Sequence, residues 1–210
     1  MMVKGSCMVR SLSFLVCFSF SVIAVAENWP GWRGPRGDGT SAESQIPTVW
    51  NGETGEGVAW KVEIPGTGHS SPIVWDDRII LTTCLEDNRE RVLLCLNRTD
   101  GSVRWKESAV TAPLETKHSL NSFASGTPVT DGQTIYATFL VTDGHEVPAP
   151  NVGTPRPVTP GQMLVVAYDM NGKKLWAAEP GEFTNVHGFG SSPVIYRNLL
   201  IINGDHDGDS

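Results

Sequence analysis

One short unit recurs three times along the chain, and few folds accommodate it. Ser71-Pro72-Ile73-Val74 precedes Asp76-Asp77 and an apolar run from Arg78 to Cys84. Thr127-Pro128-Val129 precedes Asp131-Gly132 and a run from Thr134 to Val141, and Ser192-Pro193-Val194-Ile195 precedes Arg197-Asn198 and Leu199 to Asn203. Each copy is a hydroxyl residue and a proline, then a short strand, a turn and a second strand. The first two copies continue: Leu94-Cys95-Leu96-Asn97 leads through Asp100-Gly101 to Trp105, and Val166-Ala167-Tyr168-Asp169 leads through Asn171-Gly172 to Trp176. Asp-Gly and Asn-Gly suit tight hairpins because both positions tolerate positive φ. Each complete unit thus reads as four antiparallel strands ending on a tryptophan, the mark of a propeller blade.

The rest of the chain agrees with an all-β fold. Helical periodicity is nearly absent, and the apolar runs are short, β-branched and bounded by turn residues, as in Ile79-Ile80-Leu81 and Leu164-Val165-Val166. Gly144 to Gln162 carries too many prolines for a central strand and reads as an exposed insertion between the second and third strands of its blade. Val58-Ala59-Trp60-Lys61-Val62 reads as an outermost strand without its own blade. The expectation is a β-propeller of four-stranded antiparallel blades over residues 58–210, incomplete, with about two and a half blades in an open arc. Further blades are expected beyond Ser210.

The strand–Asp/Asn-Gly–strand–Trp units resemble the repeats of pyrroloquinoline-quinone-repeat propellers. Trp29-Pro30-Gly31-Trp32-Arg33-Gly34-Pro35 and Gly68-His69-Ser70-Ser71-Pro72-Ile73-Val74-Trp75 are similar to exported bacterial members of that family. Those members are themselves likened to the propeller subunit of the outer-membrane barrel assembly machinery. The resemblance implies that each blade tryptophan docks against the next blade. Trp60, Trp105 and Trp176 share a position in their repeats and are therefore expected to be structural, since every blade buries the same face against its neighbour.

The first residues are a separate matter. Lys4 and Arg10 precede an apolar run from Leu12 to Val25, and Ala24-Val25-Ala26 is a small-x-small cleavage signal, so residues 1–26 read as a secretory signal peptide. A periplasmic or secreted location follows, with residues 27–57 as a leader segment. No later run is long and apolar enough to span a bilayer. Without Lys4 and Arg10 the formal charge moves from −7 to −9, and an acidic chain without a basic cluster makes nucleic acid a poor partner. Cys84 and Cys95 are left in the mature chain. The hairpin placing Cys84 opposite Val92 or Leu93 keeps them apart, so both are expected as buried free thiols.

Three apparent motifs have plainer explanations. Asp205, Asp207 and Asp209 alternate as a calcium loop begins, but Ser210 stands where such a loop needs glycine. A polar hairpin tip is the preferred reading, and no metal site is expected. Arg36-Gly37-Asp38 spells an adhesion tripeptide, read as a chance occurrence in a glycine-rich leader. Asn97-Arg98-Thr99 is formally a glycosylation sequon, but it lies at a tight turn and bacterial export would leave it unmodified.

The histidines form the one suggestive constellation. His69, His118 and His187 each precede a Ser-Pro or Thr-Pro strand start, and the loops entering innermost strands meet at one end of a propeller. With Asn121, Ser122 and Asn185 they would face a common opening, where imidazole can bind a metal, hydrogen-bond a polar ligand or move protons. The preferred reading is that each hydrogen-bonds neighbouring loop backbone, and metal binding is the least favoured, because the offsets differ and no carboxylate repeats with them.

No nucleophile motif, phosphate loop or paired carboxylates repeat along the chain. The sequence therefore favours a non-catalytic binding scaffold for a protein or carbohydrate, with no cofactor. The alternative is a fragment of a quinoprotein alcohol or sugar dehydrogenase using pyrroloquinoline quinone with calcium. Such enzymes commonly carry adjacent cysteines near the cofactor, and no Cys-Cys pair occurs here. A third possibility is a nonfunctional remnant.

Overall fold

The computed structural model describes residues 26–44, 46–149 and 156–207. The expected signal peptide lies almost wholly outside these residues, as do Asp209, Ser210 and part of the proline-rich insertion.

The first repeat folds into one antiparallel sheet of β1 (Ile73–Trp75), β2 (Arg78–Leu85), β3 (Glu90–Asn97) and β4 (Val103–Thr111), paired in that order. The second begins with β5 (Val129–Thr130) and β6 (Thr134–Val141). The insertion contributes β7 (Val147–Pro148) and β8 (Pro157–Val158), which pair with each other. The sheet then resumes with β9 (Gly161–Asp169) and β10 (Lys174–Ala178) in the order β5-β6-β9-β10, and β11 (Glu182–Phe183) adds to the start of β9. β12 (Val194–Tyr196) and β13 (Leu199–Ile201) form the inner hairpin of a third unit. The described strands are a partial β-propeller: two blades and the beginning of another. Among the described residues no helix is long and apolar enough to cross a membrane.

Burial explains why these runs become these strands. β3 and β9 are the third strands of their blades and are buried along nearly their whole length. Both faces are covered, so each reads as a continuous apolar run rather than an alternating one. β4 alternates instead, and β10 is exposed throughout. One core spans the interface between blades, with Ile73, Ile80, Leu93 and Cys95 of the first against Ile135, Phe139, Val166 and Tyr168 of the second. The Tyr168 hydroxyl crosses the interface to donate to the Ser108 carbonyl at 3.2 Å.

Three sequence expectations need correction. Cys84 pairs with Arg91, not with Val92 or Leu93, and Cys95 pairs with Ile80. A 3-10 turn at Glu86–Asn88, closed by Arg89 at φ +54°, shortens the connection and shifts the register. Both cysteines are nonetheless free and buried. Gly144–Gln162 is not wholly outside the strands: β9 starts at Gly161, β7 and β8 form a hairpin, and Val158 and Thr159 are buried. Val58–Val62 forms no strand, because no described strand lies beside it to complete a ladder. Trp60 is still half-buried, and Trp176, which has only the inner hairpin of the third unit after it, is 44% exposed.

The start of the leader is tied to the blades. Trp29 and Val74 exchange backbone hydrogen bonds at 2.8 and 2.9 Å, and Thr130 N–H donates to the Pro30 carbonyl at 2.9 Å. Two consecutive leader residues thus join the innermost strands of both blades, at the end where β1 turns into β2.

Candidate functional site

At the other end of the arc, the hydroxyl residue before each proline has a structural task. Ser71 N–H donates to Thr127 Oγ1 at 3.0 Å, and Thr127 N–H donates to Ser192 Oγ at 3.0 Å. Proline lacks an N–H and holds the residue before it extended, which leaves that residue's own N–H and hydroxyl to reach across to neighbouring blades. The pattern repeats one strand further out: Thr82 Oγ1 donates to the Gly126 carbonyl at 3.1 Å, and Thr138 Oγ1 donates to that of Ser191.

The loops leading into these strands are tied together around Asn121. Its side-chain amide donates to the His187 carbonyl at 2.7 Å, and its backbone N–H to the His118 carbonyl at 2.9 Å. Its Oδ1 accepts from Ser122 N–H at 2.8 Å and Ser125 Oγ at 2.6 Å. His69 joins through its backbone N–H, which reaches Ser122 Oγ at 3.0 Å and the Ala124 carbonyl at 3.1 Å. Asn185 accepts from His187 N–H at 2.8 Å and so shapes the turn that presents that ring. His118, Asn121, Asn185 and His187 are therefore brought together, with the two imidazole centroids 5.9 Å apart. His69 shares the network through its backbone, without a ring contact to either.

The His118 ring has a defined hydrogen-bond polarity. Its Nδ1 accepts from Leu120 N–H at 3.1 Å, so in the neutral ring the proton resides on Nε2 and the free edge is a donor. Metal-bound histidines show the reverse arrangement, with the non-ligating nitrogen donating outward. Among the described residues no three His, Cys, Asp or Glu side chains gather as a metal site. Asp207, one of the alternating aspartates, is engaged locally: it accepts from Val186 N–H at 3.0 Å, and its own N–H donates to the Thr184 carbonyl at 2.8 Å. It clamps the loop that carries His187. Cys84 and Cys95 lie buried on β2 and β3.

Sequence reading missed the cleft beside His118. A space of about 450 Å³ opens between the Thr116–Ser119 loop, Arg156-Pro157 of the insertion and Val186. Thr116 and Thr159 hold its walls together reciprocally: Thr116 N–H donates to Thr159 Oγ1 at 2.8 Å, and Thr159 N–H to Thr116 Oγ1 at 2.9 Å. Lys117 lies with its ammonium 4.8 Å from the Phe123 ring centroid, a cation–π contact. Neither Lys117 nor Arg156 belongs to a repeat, so no spacing marks them. The only signal was that both are cations in an acidic chain.

Beneath this loop, Glu115 is buried against Arg91, with Nη2 to Oε2 at 2.6 Å. Burial pushes the Glu115 carboxyl above its ordinary value, and the opposing attraction of Arg91 is the smaller effect.

The profile of the family described as outer membrane protein assembly factor BamB matches residues 43–179. Comparison with curated proteins gives no match. The matched span runs from the leader through β10 and so covers both complete blades. With its Trp-ending four-stranded blades and a match over more than half its length, the chain belongs to the pyrroloquinoline-quinone-repeat β-propeller family of the outer membrane protein assembly factor BamB.

Proposed function

We propose that this chain is an exported, non-catalytic binding scaffold of the bacterial envelope, periplasmic or secreted. Its protein ligand sits on the end of the arc where the loops before Pro72, Pro128 and Pro193 meet. One observation carries the reading. The Asn121 network fixes the backbones of these loops across blades, yet His69, His187 and Leu120 remain exposed on them. A prearranged polar surface with exposed side chains suits binding, because little ordering is left to be done on contact. The family match supports an envelope role, since the matching description is of an outer membrane protein assembly factor. Pyrroloquinoline quinone has no place in this reading, because the sequence carries no Cys-Cys pair of the kind such enzymes commonly hold near the cofactor.

A photocrosslinking residue at Leu120, compared with one at Asp131 in the β5–β6 turn at the opposite end, tests the proposal in the native envelope. A discrete protein adduct from position 120 and none from 131 is the expected result. Equal adducts from both ends, or adducts from 131 alone, would remove the assignment of the binding face.

A further inference from the structure

We infer that the cleft between His118 and Arg156 recognises a carboxylate on a peptide segment, an Asp or Glu flanked by an apolar residue. The inference rests on the reading of this end of the arc as the binding face and names the chemistry it selects. Charge comes first. The cleft is walled by Lys117, His118, Ser119 and Arg156, and no acidic side chain among the described residues lines it. The ion pairs among the described residues use Arg36, Arg78, Arg91 and Arg104 as cations, so Lys117 and Arg156 stand outside them. Two cations beside one cleft are conspicuous in a chain of formal charge −7.

Hydrogen-bond polarity points the same way. With His118 Nδ1 occupied by Leu120 N–H, the ring offers a donor at Nε2. Lys117 and Arg156 are donors without acceptor capacity, and Ser119 adds a hydroxyl donor. An acceptor-only, negatively charged group satisfies all of them, whereas a metal cation would meet two like charges and the wrong imidazole edge. The Arg156 fork matches a carboxylate in two-point geometry.

Size and surroundings favour a peptide over a polyanion or a sugar acid. Two cations in an acidic chain do not hold an extended phosphate backbone. Val186 and Pro157 give the cleft apolar walls, and Leu120 beside His118 is 82% exposed, an apolar contact for the residue next to the carboxylate. The Thr116–Thr159 bonds and the His118–His187 backbone bond at 3.3 Å hold the walls before any ligand arrives.

The test is an NMR titration of the full chain with acetyl-Leu-Glu-Leu-amide, acetyl-Leu-Gln-Leu-amide and glucuronate. The expected result is saturable shifts of the His118 ring and Arg156 side chain with the glutamate peptide. Binding should be about tenfold weaker for the glutamine peptide, the loss of one charge-assisted contact, and similarly weakened by Arg156→Gln. Arg156 is exposed, so that variant leaves the core alone, and an unchanged amide spectrum elsewhere verifies its fold. Equal binding of both peptides would overturn the carboxylate assignment. Glucuronate binding as tightly as the glutamate peptide would overturn the peptide assignment, and Zn²⁺ perturbing His118 in place of either would overturn the donor argument. Crosslinks from position 120 that persist when the peptides fail would sink this inference alone, while absence of crosslinks would sink the scaffold reading itself.

Discussion

Trp105 lies over Gly172 of the following blade and donates its indole N–H to the Met170 carbonyl at 3.2 Å. A Cβ on Gly172, which sits at φ +86°, would come within 2.8 Å of the indole. The turn glycine is therefore required twice, for its backbone conformation and for the close approach. Trp60 repeats the relationship one blade earlier, over Gly101 and with its N–H on the Arg98 carbonyl at 2.9 Å. Trp105→Ala should lose about 3–5 kcal/mol. Trp75, which packs on Gly132 nearer a turn, should lose less as alanine, and the exposed Trp176 least of all. Urea titrations rank the three, and a Trp176 loss equal to that of Trp105 would contradict the packing difference.

Thr127 links neighbouring blades on both sides, accepting from Ser71 N–H and donating its own N–H to Ser192 Oγ. Thr127→Val keeps the shape but leaves the Ser71 N–H without an acceptor, at a cost of about 1–3 kcal/mol. Thr127→Ser restores the oxygen and should recover most of it. Hydrogen exchange at the Ser71 amide should quicken in the valine variant and not in the serine one. Equal exchange in both would show that the hydroxyl does not hold this junction.

Burial pushes the Cys84 and Cys95 thiols up to about 11. At pH 8 only about one thousandth of each is thiolate, the reactive form, and neither side chain meets solvent. Iodoacetamide should leave Cys84 and Cys95 of the native protein unmodified over hours and label both once urea unfolds it. Rapid labelling of either in the absence of denaturant would mean that the first blade opens locally.

Turn chemistry made the blades legible. Asp100-Gly101 and Asn171-Gly172 announce tight turns by residue type, and the tryptophans that follow mark the outer strands. Features set by single backbone contacts were not legible in the same way. Arg89 takes a left-handed conformation, an uncommon choice for such a residue, and no residue preference gives notice of the register shift it causes. Trp29 and Pro30 join two blades through one residue each, too short a stretch for an alternating pattern. The histidine loops were placed by counting back from the prolines, which locates backbone but not side chains. The cleft beside them depends on Thr116 meeting Thr159 across the insertion, a tertiary contact with no local signature.

The buried pair Arg91–Glu115 sets a pH dependence whose sign follows from burial. The Arg91 side chain has no exposed surface and Glu115 only 2%. Arg91 also donates to the Ala112 carbonyl at 2.7 Å and to that of Pro113 at 3.2 Å, while its Nε has no partner. Because burial raises the Glu115 carboxyl above its ordinary value of 4.5, the folded state holds that proton more tightly than the unfolded one. The stability this contributes is fully present below the unfolded value and is lost as pH rises through the raised folded value. Glu115→Gln keeps the shape and removes the titration. The stability of the unmodified protein relative to that variant should therefore be greatest below about pH 4.5 and shrink as pH rises. Carboxylates held low by their partners, such as Glu27 beside Arg36 and Asp77 beside Arg104, titrate alike in both proteins and cancel in the difference. Arg91→Met leaves a buried carboxylate alone and should cost about 3–5 kcal/mol at neutral pH. That loss should lessen in acid, where Glu115 takes up its proton, and combining Arg91→Met with Glu115→Gln should recover much of it at neutral pH. Urea titrations of the four proteins across this range provide the measurement. A gap between the unmodified protein and Glu115→Gln that widens with rising pH would show that attraction to Arg91, not burial, governs the carboxyl.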